Sequence, residues 1–275
     1  MRNNIYQRTE VLLGEETLKK LAEKRVLLFG LGGVGGACFQ TLVRLGIKHF
    51  TIVDNDCFSL SNLNRQSLST LETINKSKVD VAIEFAKQIN EEIEVEGKKM
   101  FYLPETRDQI DFSSFDIIID CIDTISAKID IALRAKEENI KLLSAMGCGN
   151  RVDPTKLYFT DLFKTEKDPL AKVMRRELRK RGLTSLEVLC SKEETLTPKE
   201  KIPNEEGRRK DIPGSTPFVP QCAGIFLAYR AYQILIDKNR KEQEFPALFP
   251  YRSKKSAISF IGFSASTSFK ISCLI

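Results

Sequence analysis

Two periods of apolar residues alternate along the first half of the chain. RVLLFG (25–30), HFTIVDND (49–56), FDIIIDCID (115–123) and KLLSAMG (141–147) are short, nearly continuous apolar runs. Such runs mark strands covered on both faces, and KKMFYL (98–103) predicts another. Between them the apolar positions change to helical spacing. This predicts helices over 14–24 (Leu18, Leu21 and Ala22 on one side), over 35–45, which Gly46 ends, and over 126–139. A fourth covers 78–90, with Val79, Ala82, Ile83, Ala86 and Ile89 in phase. Strands alternating with helices predict an α/β fold, a Rossmann-like, three-layer doubly wound parallel sheet with helices on both sides.

After Gly149 the pattern changes. RVDPTKLYFTDL predicts a strand, with turn residues at Asp153 and Pro154. Residues 169–182 predict a strongly basic helix, LEVLCSKEE a strand, and 221–236 an apolar helix. The stretch 197–217 is rich in Pro, Gly and charge and predicts a mobile loop. Residues 245–275 hold no acidic residue and are Ser-rich, with scattered Phe and Ile. They form a C-terminal extension that the pattern leaves unassigned.

At 275 residues the chain is long enough for one large domain with a sizeable core. No apolar run approaches the ~20 residues of a membrane-spanning helix. MRNNIYQRTE lacks the apolar centre of a signal peptide, so a cytoplasmic location is expected. None of the seven cysteines forms a CxxC pair, which argues against structural zinc, and a disulfide framework is not expected. The net charge of +6 fits an acidic partner such as nucleic acid.

The chemistry begins at GLGGVGG. Gly30, Gly32, Gly33 and Gly35 follow a strand and open a helix, where backbone N–H groups suit a nucleotide phosphate. Asp54 ends the next strand, about twenty residues on, where a carboxylate takes ribose hydroxyls, with Asp56 close behind. At this level an NAD-dependent dehydrogenase and an ATP-using enzyme look alike. The continuation DNDCFSLSNLNRQ separates them. Asn62, Arg65 and Lys78 add an amide and two cations near the same end of the sheet, and Asp123 ends a neighbouring strand where it could hold Mg²⁺. Splitting ATP between its α and β phosphates needs such a cluster, because charge builds on the departing pyrophosphate.

These motifs resemble the adenylating core of ubiquitin-activating E1 enzymes and their bacterial relatives, over roughly 8–149. The resemblance implies that Gly32 and Asp54 hold the nucleoside, that Asn62, Arg65 and Lys78 hold phosphates, and that Asp123 binds Mg²⁺. It implies that Arg8, in QRTEVLLG, reaches into a partner subunit's site, and hence a homodimer. The second half, DPTKLYFTDLFKTEKDPLAKVMRRELRKRG, then LEVLCSKEE and PGSTPFVPQCAGIFLA, is similar to the tRNA threonylcarbamoyladenosine dehydratases, over about 5–236. That family implies ATP-dependent ring closure of the modified adenosine beside the tRNA anticodon. The expected organisation is one adenylating domain over 1–244, with a nucleotide-binding core at 8–149, a tRNA part at 150–244, and the 245–275 tail.

Arg8, Arg65, Lys78, Asp123 and Cys222 are the expected catalytic set, and Arg175, Arg176 and Arg179 the expected phosphate-tracking face of the basic helix. Cys222 is expected at the start of the apolar helix, where a helix N-terminus lowers a thiol pKa. Family resemblance places a sulfur-relay cysteine there, implying a cysteine desulfurase partner. Cys121, Cys190 and the single histidine, His49, read as structural. The rival enzyme reading is adenylation of the Gly-Gly end of a ubiquitin-like sulfur carrier. Many enzymes of that kind carry paired CxxC motifs, which are absent here.

Overall fold

The computed structural model describes residues 4–203 and 211–236. The 245–275 tail, and 204–210 within the expected loop, lie outside the described residues. The chain runs α1 (Gln7–Leu13), α2 (Glu15–Ala22), β1 (Arg25–Phe29), α3 (Gly33–Leu45), β2 (His49–Val53), α4 (Lys78–Ile89), β3 (Glu94–Lys98), β4 (Ile117–Asp120) and α5 (Ile125–Glu137). It continues through β5 (Leu142–Ala145), β6 (Leu157–Asp161), α6 (Pro169–Lys180), β7 (Glu187–Ser191) and α7 (Phe218–Ile236).

The seven strands form one sheet in the order β3-β2-β1-β4-β5-β7-β6. Six run parallel, whereas β6 pairs antiparallel with β7. The expected doubly wound parallel sheet is thus present, with one antiparallel strand, β6, added at its edge. The connection through the basic helix α6 returns the chain beside β6, and an edge strand tolerates that reversal.

Alternate residues of β1 divide between two cores. Val26 and Leu28 face a cluster with Phe39, Leu42, Ala223 and Leu227 from α3 and α7. Leu27 and Phe29 face a second cluster with Phe112, Ile131, Met174 and Leu178, which includes residues of α5 and α6. Covering both faces is what makes the strand sequences continuously apolar.

Three expectations shift. β3 is EVEGK rather than KKMFYL: an edge strand half open to water needs few apolar residues, while Tyr102 leaves the sheet to pack edge-on against Phe29. The apolar pattern does not predict α1. None of its residues is buried, so it carries no one-sided apolar stripe to read. α3 begins at Gly33 and α7 at Phe218, each two or three residues earlier than expected. Gly46 does end α3, in the left-handed conformation at φ 108°.

Candidate active site

The glycine turn lies at the C-terminal edge of the sheet, where the order reverses across β1. This is the place at which open α/β sheets bind ligands. Gly30 takes φ 87°, and its N–H donates to the Val53 carbonyl at 2.8 Å. A Cβ on Gly35 would sit 1.7 Å from the Gly30 oxygen, so only glycine lets α3 cross the end of β1 this closely. Gly33 packs against Pro220 and the Arg65 backbone, whereas a Cβ on Gly32 would meet nothing within 4 Å. Three of the four glycines are therefore needed for backbone conformation or close packing, and Gly32 leaves room in front of the α3 N-terminus.

Asp54 follows β2 beside this turn. One carboxylate oxygen accepts from the Leu31 N–H at 2.6 Å, the other from the Asp56 N–H at 2.8 Å. Burial pushes its pKa up, against the opposing pull of Lys78. Lys78 is itself buried, with Nζ 2.9 Å from Asp56 and 4.0 Å from Asp54. Asn62 closes a 3-10 turn (Leu60–Asn62), its Oδ1 accepting from the Ser59 N–H at 3.1 Å. Arg65 donates to the Ser61 carbonyl at 2.7 Å and to Asn64 Oδ1 at 3.0 Å, and burial lowers its pKa. Within the loop 54–78 backbone groups hold Asp54 and Arg65, and the carboxylates of Asp56 and Asp54 hold Lys78.

Asp123 is exposed and lies just beyond β4. Asp120, at the end of that strand, is held by Lys128 Nζ at 2.7 Å and by the Ser144 hydroxyl at 2.7 Å. Its other oxygen accepts from the Ile122 N–H at 3.2 Å, which shapes the turn that presents Asp123.

A cleft of about 540 Å³ opens here, within the size range of ligand sites. It brings together Gly32, Gly33, Arg65 and Asp123. Asp54, Asp56, Asn62 and Lys78 stand outside it, towards β2, as do Gly30 and Gly35 beneath the turn. The far wall, Met146 to Arg151 after β5 and the first turns of α6, is not apparent from the sequence.

A buried ion pair organises that wall. The Arg151 guanidinium lies 3.1 Å from Asp168, with both side chains fully buried. Arg151 also donates to the Gly147, Glu193 and Lys167 carbonyls. Asp168 caps α6 through the Ala171 N–H at 2.8 Å and takes the Gly147 N–H at 3.1 Å. The Asp-Pro pair at 168–169 is a readable helix-start signal; its link to Arg151 is not.

Other expected residues separate. Arg8 is exposed on α1 and does not line the cleft. Cys222 falls in the second turn of α7, half-buried against the sheet core and outside the cleft. It therefore lies past the first turn of the helix and not, as the sequence leads one to expect, at its start. Cys121, expected as pure core, lines the cleft together with Cys148. Burial raises the thiol pKa of both, that of Cys148 to about 12. On α6, Arg176 and Arg179 are exposed, but Arg175 turns back to donate to the Thr165 carbonyl at 2.8 Å. That correction follows from packing: Thr165 precedes the helix and presents its carbonyl to the inward side.

No helix among the described residues is long and apolar enough to cross a membrane. The ThiF family profile matches residues 6–267. The chain is 36% identical to the tRNA threonylcarbamoyladenosine dehydratase of Bacillus subtilis over 230 residues, 81% of this chain and 91% of that one. It is 37% identical to tRNA threonylcarbamoyladenosine dehydratase 2 of Saccharomyces cerevisiae, covering 73% of this chain and 46% of the yeast protein. The crystal structure of Escherichia coli tRNA N6-threonylcarbamoyladenosine dehydratase in complex with ATP superposes with a TM-score of 0.76 at 27% identity, over 84% of this chain and 93% of that one. These matches set the dehydrogenase reading aside: the chain belongs to the ThiF family and, within it, to the tRNA threonylcarbamoyladenosine dehydratases.

Proposed function

We propose that the protein closes the ring of N6-threonylcarbamoyladenosine beside the anticodon of tRNA, using ATP and releasing AMP and pyrophosphate. The observation that carries this reading is the cleft itself. It joins the glycine turn, Arg65 and Asp123 to a wall that continues into the basic helix α6.

The substrate arm ends in a carboxylate, a poor electrophile. Its oxygen attacks the α-phosphate of ATP, the bond to the β-phosphate breaks, and pyrophosphate leaves. A nucleophile of the same nucleoside then attacks the acyl carbon and expels AMP, so that one water is lost overall. The protein aligns the two reactants and neutralises developing charge. Gly32, Gly33 and the α3 N-terminus face the phosphates, with Arg65 beside them. Asp54 takes the ribose, and Asn62 and Lys78 lie on the path between. Lys78 exchanges part of its contact with Asp56 for phosphate.

Asp123 is the residue that would hold Mg²⁺. Among the described residues no group of three or more His, Cys, Asp or Glu could hold a metal ion. One carboxylate at the cleft fits magnesium, which is bound by one or two carboxylates together with substrate phosphates. The ion would supply charge neutralisation on those phosphates.

We also propose a homodimer in which Arg8 serves the neighbouring site. Val11 and Leu12, on the same short helix, are 85% and 82% exposed, a surface suited to burial against a second copy. The cysteine desulfurase partner expected through Cys222 has no step in this reaction, because AMP departure alone drives ring closure.

The test is mass spectrometry of nucleosides from tRNA incubated with the protein and ATP. The expected product is lighter by one water, with AMP formed in equal amount. An unchanged nucleoside, or ADP with phosphate, refutes the reading. Adenylation of a carrier protein's C-terminus in its place would favour the rival.

Helix α6 supports the tRNA part. Replacing Lys172, Arg176 and Arg179 by Gln should weaken tRNA binding and flatten its log–log salt dependence by roughly 0.7 to 0.9 for each phosphate no longer neutralised. Nucleotide affinity should not change, since the nucleotide residues lie on other elements. Filter binding across a salt series checks this. An unchanged slope places the tRNA path elsewhere.

A further inference from the structure

The cleft extends past the residues proposed for the nucleotide, of which Asp54 stands outside it, towards β2. Asp54 follows β2, whereas the far wall follows β5, and the order β2-β1-β4-β5 places three strand spacings between them. At about 4.8 Å each, that is about 14 Å. A nucleotide with its ribose at Asp54 and its phosphates at Gly32, Arg65 and Asp123 uses the near part. The β5–α6 side is left for the other reactant.

That side carries an apolar patch. Ile125 opens α5, immediately after the Asp123–Thr124 turn, and is 38% exposed. Leu170 and Val173, in the first turns of α6, are half-buried, and all three line the cleft. These side chains stay partly open beside the charged end of the site, although core positions on both helices are filled by Ala127, Ile131, Ala171 and Met174. The patch is held rigidly. The Arg151–Asp168 pair fixes the start of α6, and Lys128–Asp120 fixes the strand end that leads into α5. Across the opening, Asn150 brackets Gly214, its N–H donating to the Gly214 carbonyl and its Oδ1 accepting from the Gly214 N–H, both at 2.7 Å. This pins Pro213 and Ser215 against the cleft.

We infer that Ile125, Leu170 and Val173 form the seat for the purine ring of the modified nucleoside. The inference rests on the function proposed above and names its base-binding subsite. A flat ring unstacked from the anticodon loop exchanges its neighbouring bases for aliphatic side chains, a contact that costs no polar group its partner. With the ring on this patch, its carboxylate arm points towards Asp123 and the phosphate end. Helix α6 then acts on two sides. Leu170 and Val173 meet the base, while Arg176 and Arg179, on its exposed side, meet the backbone of the same RNA.

The test compares Val173→Trp, which fills the patch, and Leu170→Gln, which makes it polar, with the wild type. The substrates are modified tRNA and the free threonylcarbamoyladenosine nucleoside. Each variant should lose activity towards both by roughly 10- to 200-fold, the range for a hydrophobic contact in a specificity pocket. ATP affinity by calorimetry should stay at the wild-type value. Both side chains border open space, and retained ATP binding certifies folding in either variant. Loss of ATP affinity in step with activity would assign the patch to the adenine of ATP and overturn the inference. Loss confined to tRNA, with the free nucleoside unaffected, would assign it to the RNA backbone and overturn it equally, as would full activity of both variants. A wild type inactive on both substrates fails the parent reading instead, and this inference with it.

Discussion

Asp123→Asn should reduce AMP formation by on the order of 10²- to 10³-fold, the usual cost of removing one electrostatic contact to a developing charge. The carboxylate stands exposed at the cleft and contributes nothing to either core, so the fold and the melting temperature should be retained. The amide keeps the shape and loses the charge that a hard cation needs. Steady-state release of pyrophosphate with modified tRNA measures the effect, and near wild-type turnover would remove Asp123 from the mechanism. The same variant tests the dimer. An Arg8→Ala chain mixed with an Asp123→Asn chain assembles one intact site per mixed dimer if Arg8 works across the interface. With random exchange of equal amounts half of the dimers are mixed, so activity should return towards about a quarter of that of the native dimer. Failure to recover, with subunit exchange demonstrated, would place Arg8 in its own subunit's site or outside the reaction.

Lys128→Met should be strongly destabilising. Lys128 and Asp120 lie 2.7 Å apart with side chains 0% and 1% exposed. Methionine fills the volume but leaves the Asp120 charge buried, with only the Ser144 hydroxyl and the Ile122 N–H to answer it. Breaking such a pair on one side costs about 3–5 kcal/mol. For a domain of this size that is a fall in melting temperature of roughly 6 to 20 °C. Adding Asp120→Asn removes the stranded charge and should recover most of the stability, because the penalty lies in the unpaired ion rather than in the missing bond. Calorimetric melting of both variants checks this. A single variant that melts within a degree of the wild type would mean that water reaches Asp120 and the pair is dispensable. Because Asp120 also shapes the turn before Asp123, the single variant should lose activity along with stability.

The motifs proposed for the nucleotide could be read because they are local. Gly30 to Gly35, Asp54, and the loop from Asn62 to Lys78 are short motifs whose spacing is set by one strand, one turn and one helix. Their chemistry follows from residue type and position within that unit. The strand–helix alternation was legible for a similar reason. Strands covered on both faces must be apolar throughout, and helices must repeat every three to four residues, so β1, β4 and α4 announce themselves. Elements that bury little escaped. α1 has no buried face, and β3 is a polar edge strand.

Only the tertiary structure decided the rest of the site. Nothing in the sequence links Arg151 to Asp168 or Asp120 to Lys128, because a buried charge finds its partner through packing rather than by spacing alone. Nor could composition distinguish Arg175, folded back on Thr165, from Arg176 and Arg179, which face outward. Residue type states which chemistry a chain can perform. Which groups share one cleft is settled where several distant segments are buried together, and there each side chain's position is a property of all its neighbours at once.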